Sequence, residues 1–250
     1  MKPNRPVVIS IAGFDPCGGA GVLADIKVFE NIQVQGMGVC TSLTFQNENE
    51  FEGLTWVEIS DIKKQIDILL KKYTIEYVKI GLVQNLNVLN EIIDFLIERN
   101  ATIKIVWDPI LKASAGYDFH TKIDYEVLLN VIKKLFMIVP NLEEIIALNP
   151  VEENVFSKAE KLSEYCNVFL KGGHSNSDIS EDVLFMERKK ISFQMHKIDK
   201  GEKHGSGCVL SSSLIAYLAL GFGVKEACEK AKKYTFNFLS SNEGLLGYHN

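Results

Sequence analysis

The chain has 250 residues, 46% of them apolar and 24% charged, with a formal charge of -5 at pH 7. That is the composition of a globular protein long enough to bury a large core, and it offers no basic field for a nucleic acid or an anionic membrane. No window has the apolar length of a membrane helix, and five scattered cysteines without a C-x-x-C pair argue against a disulfide frame or zinc site and for a reducing, cytoplasmic setting.

Taken in order, strand-length apolar runs alternate with segments of helical period. "PVVISIAG" (Pro6 to Gly13) is expected to be a buried strand, and "AGVLADIKVFENIQ" a helix. "GMGVCTSLTFQ" predicts a second strand, and "SDIKKQIDILLKKY" a helix with Ser60 as N-cap and Ile62, Ile66, Leu69 and Leu70 on one stripe. The strand "YVKIG", the helix "NVLNEIIDFLIERN" and the strand "IKIVWDP" follow. Next come helix "YEVLLNVIKKLF", strand "MIVP", helices "NLEEIIAL" and "SKAEKLSEYC", and strand "VFLKGG". "EDVLFM" and "ISFQMHKI" read as paired strands before two last helices, Ser206 to Leu220 and Val224 to about Ser241. Repeated strand–helix units predict one α/β domain over residues 1–250, with a mostly parallel, doubly wound sheet covered on both faces. Such sheets bind ligands beyond the carboxyl ends of their strands.

The chemistry-bearing residues fall at those ends. "AGFDPCGGAG" packs four glycines between a strand and a helix, where bare backbone can approach a ligand or simply turn. Asp25 falls on the apolar stripe of the next helix, so its carboxylate must be paired with a neighbour or face a ligand cavity. Gln46, at a strand end, offers an amide donor and acceptor side by side, as a heterocycle would need. Asp108 in "WDPI" and Glu144 in "VPNLEE" suit a Mg²⁺ held through water near phosphates. Asn141 and Glu144 equally match the spacing of a helix capping box. Lys171 in "FLKGGH" could meet a phosphate, and His174 reads as a loop residue. Gly205, Ser206 and Gly207 open a helix that is apolar almost all round, so free amides and the helix dipole make an anion site there. Cys208 lies in that turn. It is either a small buried hydrophobe or a thiol whose thiolate the helix N-terminus favours.

Seven segments in one order, "AGFDPCGGAGVLAD", "TSLTFQN", "VKIGL", "VWDPIL", "VPNLEE", "LKGGH" and "HGSGC", closely resemble the hydroxymethylpyrimidine/phosphomethylpyrimidine kinases of thiamine biosynthesis, in the ribokinase-like superfamily. The resemblance runs from Val7 to Gly221. It implies a three-layer α/β/α fold, usually dimeric, that uses ATP and Mg²⁺. The substrate it implies is the hydroxymethyl group of 4-amino-5-hydroxymethyl-2-methylpyrimidine and, in many members, the resulting monophosphate. Carried over by motif, Gly19, Ala20 and Gly21 line the pyrimidine pocket, Asp25 and Gln46 contact it or its polar edge, and Leu82 covers the ring. Asp108, Asn141 and Glu144 organise Mg²⁺ and phosphates, Lys171 meets the nucleotide phosphates, and the Gly205–Gly207 backbone is the anion hole. Related sugar kinases have an aspartate base where Cys208 stands, so Cys208 is implied to accept or relay the proton of the attacking hydroxyl. The chain departs from the family pattern at Leu82 (commonly methionine), Phe14 and Ser206 (threonine) and Cys17 (serine). A pyridoxal or pyridoxine kinase and a non-catalytic pyrimidine-binding protein on the same fold are the rival readings. The intact Asp108, Glu144, Lys171 and Gly205–Cys208 argue against the second rival.

Overall fold

The computed structural model describes residues 5–111, 123–148, 154–173, 178–198 and 201–250. His174 lies outside the described residues. Among the described residues, nine strands form one sheet in the order β3-β2-β1-β4-β5-β6-β7-β8-β9. They are β1 (Val7–Phe14), β2 (Gln35–Gln46), β3 (Phe51–Trp56), β4 (Ile75–Ile80), β5 (Lys104–Trp107), β6 (Met137–Ile138), β7 (Asn167–Leu170), β8 (Ile179–Met186) and β9 (Lys189–His196). Strands β2 to β7 in this order pair in parallel through β1, while β3, β8 and β9 join antiparallel at the two edges.

Among the described residues, eight helices cover the sheet: α1 (Gly21–Asn31), α2 (Ile59–Leu70), α3 (Leu86–Arg99), α4 (Tyr125–Ile132), α5 (Leu142–Leu148), α6 (Val155–Leu162), α7 (Ser206–Ala219) and α8 (Val224–Leu239). Alternate residues of each strand face opposite sides, so the sheet feeds two cores. On one side Ile9 and Ile11 of β1 pack with the apolar stripes of α2 to α6. On the other, Val8 of β1 and Tyr77 of β4 pack with Val28 and Phe29 of α1, Leu214 and Ile215 of α7 and Ala231 of α8. The result is the expected three-layer α/β/α architecture with a mostly parallel, doubly wound sheet.

One local expectation is corrected, and one strand is added. Helix α2 starts at Ile59 behind Glu58, so Ser60 lies inside its first turn and is not the N-cap. The polar stretch after Gln46 is a hairpin turn, with the Asn47 amide bonded to the Glu50 carbonyl at 3.0 Å, and β3 follows it. Alternation is weak in "FEGLTW" because this edge strand has no fully buried face.

Chain order reverses at β1, whose neighbours are β2 on one side and β4 on the other. In an open α/β sheet that switch point leaves a crevice at the strands' carboxyl ends. Gly13, Leu82, Asp108, Asn141 and Lys171 stand at or just past the ends of β1, β4, β5, β6 and β7.

Candidate active site

Helix α7 points its N-terminus at this edge. Its N-cap, Gly205, has a left-handed φ of 74°. A Cβ there would collide with the Gly19 carbonyl oxygen, so glycine answers both the backbone angle and the contact with the preceding loop. The first intrahelical bond runs from the Val209 amide to the Gly205 carbonyl at 3.0 Å, so the amides of Gly207 and Cys208 have no acceptor within the helix. The Ser206 amide turns back to the Lys203 carbonyl at 3.3 Å, so of the glycine–serine–glycine backbone it is not a free donor.

Cys208 is buried at 6% exposure. Burial pushes its thiol up to about 11; Asp108 and Asp25 add to this, while Lys79 and the Gly21 amide oppose it. The expected favoured thiolate is therefore corrected. The helix end is itself desolvated, and removing water penalises a thiolate more than the amides reward it.

A charged cluster lies beside this turn. The Lys171 ammonium is 2.7 Å from Asp108 Oδ1 and 3.4 Å from Glu144 Oε2, and a Cβ on Gly207 would sit 3.5 Å from its Nζ. Ser211, one turn into α7, donates to Asp108 Oδ2 at 2.7 Å. Asn141 and Glu144 form a reciprocal cap on α5: the Glu144 amide donates to Asn141 Oδ1 (2.8 Å) and the Asn141 amide to Glu144 Oε2 (2.7 Å). The structure thus realises the capping reading and also brings Glu144 to Lys171. Burial raises the Glu144 carboxyl to about 7, with Lys171 opposing and Asp108 reinforcing. Lys171 pays a desolvation penalty, yet Asp108 and Glu144 hold it above the ordinary lysine range.

Asp25 is placed differently from expectation. It is fully buried, with Oδ1 bonded to Lys79 Nζ and Ser212 Oγ and Oδ2 to Ser10 Oγ, each at 2.5 Å. Both oxygens are occupied by internal partners, so direct ligand contact gives way to a supporting role beneath the site. Lys79 also reaches toward the Cys208 carbonyl at 3.5 Å, which ties this pair to the first turn of α7. Although burial favours a neutral amine, the Asp25 carboxylate holds Lys79 above its usual range.

The loop between β1 and α1 is built on Asp15, which sequence reasoning passed over. Its carboxylate accepts from the amides of Cys17 (3.1 Å), Gly19 (3.1 Å) and Ala20 (2.8 Å), from the Cys17 thiol (3.1 Å) and from His204 Nε2 (3.0 Å). Burial opposes ionisation, but these donors, His204 first, hold Asp15 below the ordinary carboxylate range. Gly21, at φ 60°, packs on the Gly13 carbonyl. Leu82 is buried beside Gly13, with its δ-carbon 3.3 Å from where a Cβ on Gly13 would be. Gln46 stands at the far end of β2, in the arm it forms with β3, and is half-buried.

Amides at a buried helix start, two carboxylates, an ammonium between them and a glycine loop at the sheet's switch point are the parts from which a phosphoryl-transfer site can be built. A family model described as phosphomethylpyrimidine kinase matches residues 15–249, so the chain belongs to the phosphomethylpyrimidine kinase family, and it is a kinase. It is 32% identical over 245 residues to a hydroxymethylpyrimidine/phosphomethylpyrimidine kinase of Staphylococcus aureus, covering 94% of this chain and 87% of the relative. The crystal structure of a phosphomethylpyrimidine kinase from Clostridium difficile superposes with a TM-score of 0.78 at 28% identity, over 92% of this chain and 98% of that one. The Staphylococcus aureus pyridoxal kinase in complex with AMP-PCP and pyridoxal shares the fold, with a TM-score of 0.83 at 23% identity over 95% of this chain and 88% of that one.

Proposed function

We propose that this chain transfers the γ-phosphoryl group of ATP to the hydroxymethyl group of 4-amino-5-hydroxymethyl-2-methylpyrimidine, and then to the resulting monophosphate, in thiamine biosynthesis. The observation that carries this reading is the convergence of Lys171, Asp108 and Glu144 on the α7 turn that holds Cys208. In phosphoryl transfer most of the work is positioning and charge stabilisation. The Gly207 and Cys208 amides and the Lys171 ammonium supply positive potential where charge grows on the migrating group. Gly19, Ala20, Gly21, Gln46 and Leu82 are assigned to the pyrimidine.

Cys208 is a neutral thiol at rest, so it acts as a relay. It takes the hydroxyl proton only as it hands its own S–H proton to an oxygen of the phosphoryl group, late in transfer, when the alcohol oxygen has become acidic. Asp108 and Glu144 present hard carboxylate oxygens, and two carboxylates against one ammonium keep a net negative charge, a donor set that fits Mg²⁺ held partly through water. Bound there, the ion would supply charge neutralisation between the phosphates. The Asn141 backbone amide, donating to Glu144 Oε2, holds that carboxylate in place for it.

A single kinase domain, a cytoplasmic setting and a homodimer complete the reading. The five cysteines are free thiols. No helix among the described residues is long and apolar enough to cross a membrane. Leu43 and Phe45, at 49% and 53% exposure on the β2–β3 arm, offer apolar surface to a second copy.

Mass analysis of products from ATP, Mg²⁺ and the pyrimidine alcohol is the direct test, with pyridoxal as competitor. The expected result is mono- and diphosphorylated pyrimidine; faster turnover of pyridoxal would overturn the assignment.

A further inference from the structure

His204 has no part in the phosphoryl-transfer reading, yet it is the residue on which two loops meet. It is 7% exposed, and it immediately precedes the Gly205 cap of α7. Its Nε2 lies 3.0 Å from Asp15 Oδ2, the oxygen that also holds the amides of Gly19 and Ala20. An ionised carboxylate can only accept, so Nε2 carries the hydrogen. Nδ1 is buried and, among the described residues, has no hydrogen-bond partner, so the ring is held through Nε2. A Cβ on Gly19 would strike the imidazole, and a Cβ on Gly205 would strike the Gly19 carbonyl. The loops are therefore in contact along their backbones, and the ring–carboxylate bond fastens them. The Cys17 thiol, raised to about 11 chiefly by burial, stays a neutral donor to the same carboxylate. Asp15, Cys17 and His204 bring ligand-type atoms within 4.8 Å of one another. Asp15 already accepts five donors there, which suits a fastening better than a metal site.

We propose that Asp15 and His204 form a clasp that fixes the substrate loop (residues 15–21) against the phosphoryl-binding turn (residues 205–208), making both of them positioning residues for transfer. Neither need touch the reacting atoms. The clasp sets the distance between the acceptor hydroxyl and the amides that receive the phosphoryl group, and displacement of reacting groups by about 1 Å costs on the order of a hundredfold in rate. The inference rests on the kinase reading for its rate prediction and on geometry alone for its loop coupling, and the experiment reads the two separately.

Asp15→Asn, His204→Leu, His204→Gln and the Asp15→Asn/His204→Leu double variant are prepared in the full chain. Steady-state kinetics and amide hydrogen exchange of residues 15–21 and 205–208 are then measured. His204→Leu should lower kcat about 10- to 100-fold with KM for ATP within about twofold, and His204→Gln, which keeps an N–H donor, should recover much of the loss. The double variant should be no slower than the slower single one. Asp15→Asn should speed exchange at residues 205–208, on the other loop from the substitution. Losses that multiply, an exchange change confined to residues 15–21, or wild-type kcat in His204→Leu would each overturn the clasp. Should the Asp15 variant fail to fold, the Leu and Gln variants decide, their exchange then being read at residues 15–21. Failure of the wild-type enzyme on the pyrimidine alcohol would count against the substrate assignment while leaving the exchange test intact.

Discussion

At the scale of single residues, Cys208 shows how burial overrides a local electrostatic rule. A thiol at a helix N-terminus is ordinarily acidified, but here the surrounding protein has removed the water that a thiolate would need, and burial pushes the thiol up to about 11. A relay of this kind is useful only while the hydroxyl is losing its proton, which places its effect on kcat. Cys208→Ala is expected to leave KM for both substrates within about threefold and to lower kcat roughly a hundredfold, the usual scale for a positioned proton acceptor. Unchanged turnover in a steady-state assay would remove the sulfur from the mechanism. The residues that sequence reading placed at the strand ends, Asp108, Asn141, Glu144 and Lys171, do assemble. Their types and positions were legible because each follows a strand in a doubly wound pattern. Asp15 was legible too, in retrospect: an aspartate heading "DPCGGA" is placed to accept the amides that follow it in a turn. Its partner His204 lies 189 residues away, and no local pattern reveals such a pairing. Lys79 left a different signal, since a charge between Val78 and Ile80 in a buried parallel strand requires a counter-charge.

At the scale of elements, α7 is the unit on which the site depends, and its entry is governed by Gly205. Alanine at this position would have to adopt a left-handed φ of 74° and would run into the Gly19 carbonyl. Gly205→Ala is therefore expected to destabilise the protein by about 1–3 kcal/mol, the range for strained left-handed backbone, and to lower kcat/KM at least tenfold by parting the two loops. Thermal denaturation and kinetics on the same preparation check both. A stable, fully active variant would show that the turn has room to relax. The helix itself was readable from its nearly continuous apolar run, and its buried face agrees. Strand β3 was not readable. Half-buried edge strands are chosen by their partner, and the pairing of Thr44 with Leu54 is a property of the hairpin that no window of "FEGLTW" contains.

At the scale of the whole molecule, the buried charges link stability to pH. Native Glu144 keeps its proton up to about 7, above its ordinary 4.5, so between these values the folded state binds more protons than the unfolded one. The slope of stability with pH is then negative, and the cation-free protein should lose stability as pH rises from 4.5 to about 7. A divalent cation that takes the ionised carboxylate should reverse this. Differential scanning calorimetry at pH 5.5 and pH 8, with and without Mg²⁺, is expected to give a clearly larger Mg²⁺-induced rise in Tm at the higher pH, on the order of a few degrees. Glu144→Gln should flatten that difference, and an equal rise at both pH values in the unmodified protein would exclude Glu144 as the titrating ligand.

The Asp25–Lys79–Ser212 cluster has a consequence for how the chain is made. Its members come from α1, β4 and α7, and Ser212 lies 187 residues after Asp25 in the chain. Until α7 is synthesised, the sheet face carrying Val8, Tyr77 and Lys79 has no lid from that helix, and the same apolar residues that later form the second core are open to solvent. A nascent chain is thus left with a greasy, half-satisfied flank until α7 emerges, the kind of surface that chaperones occupy and that aggregates when they do not. Stop codons shortly before Ser206 should therefore yield insoluble fragments, however well their strands and helices are specified one by one.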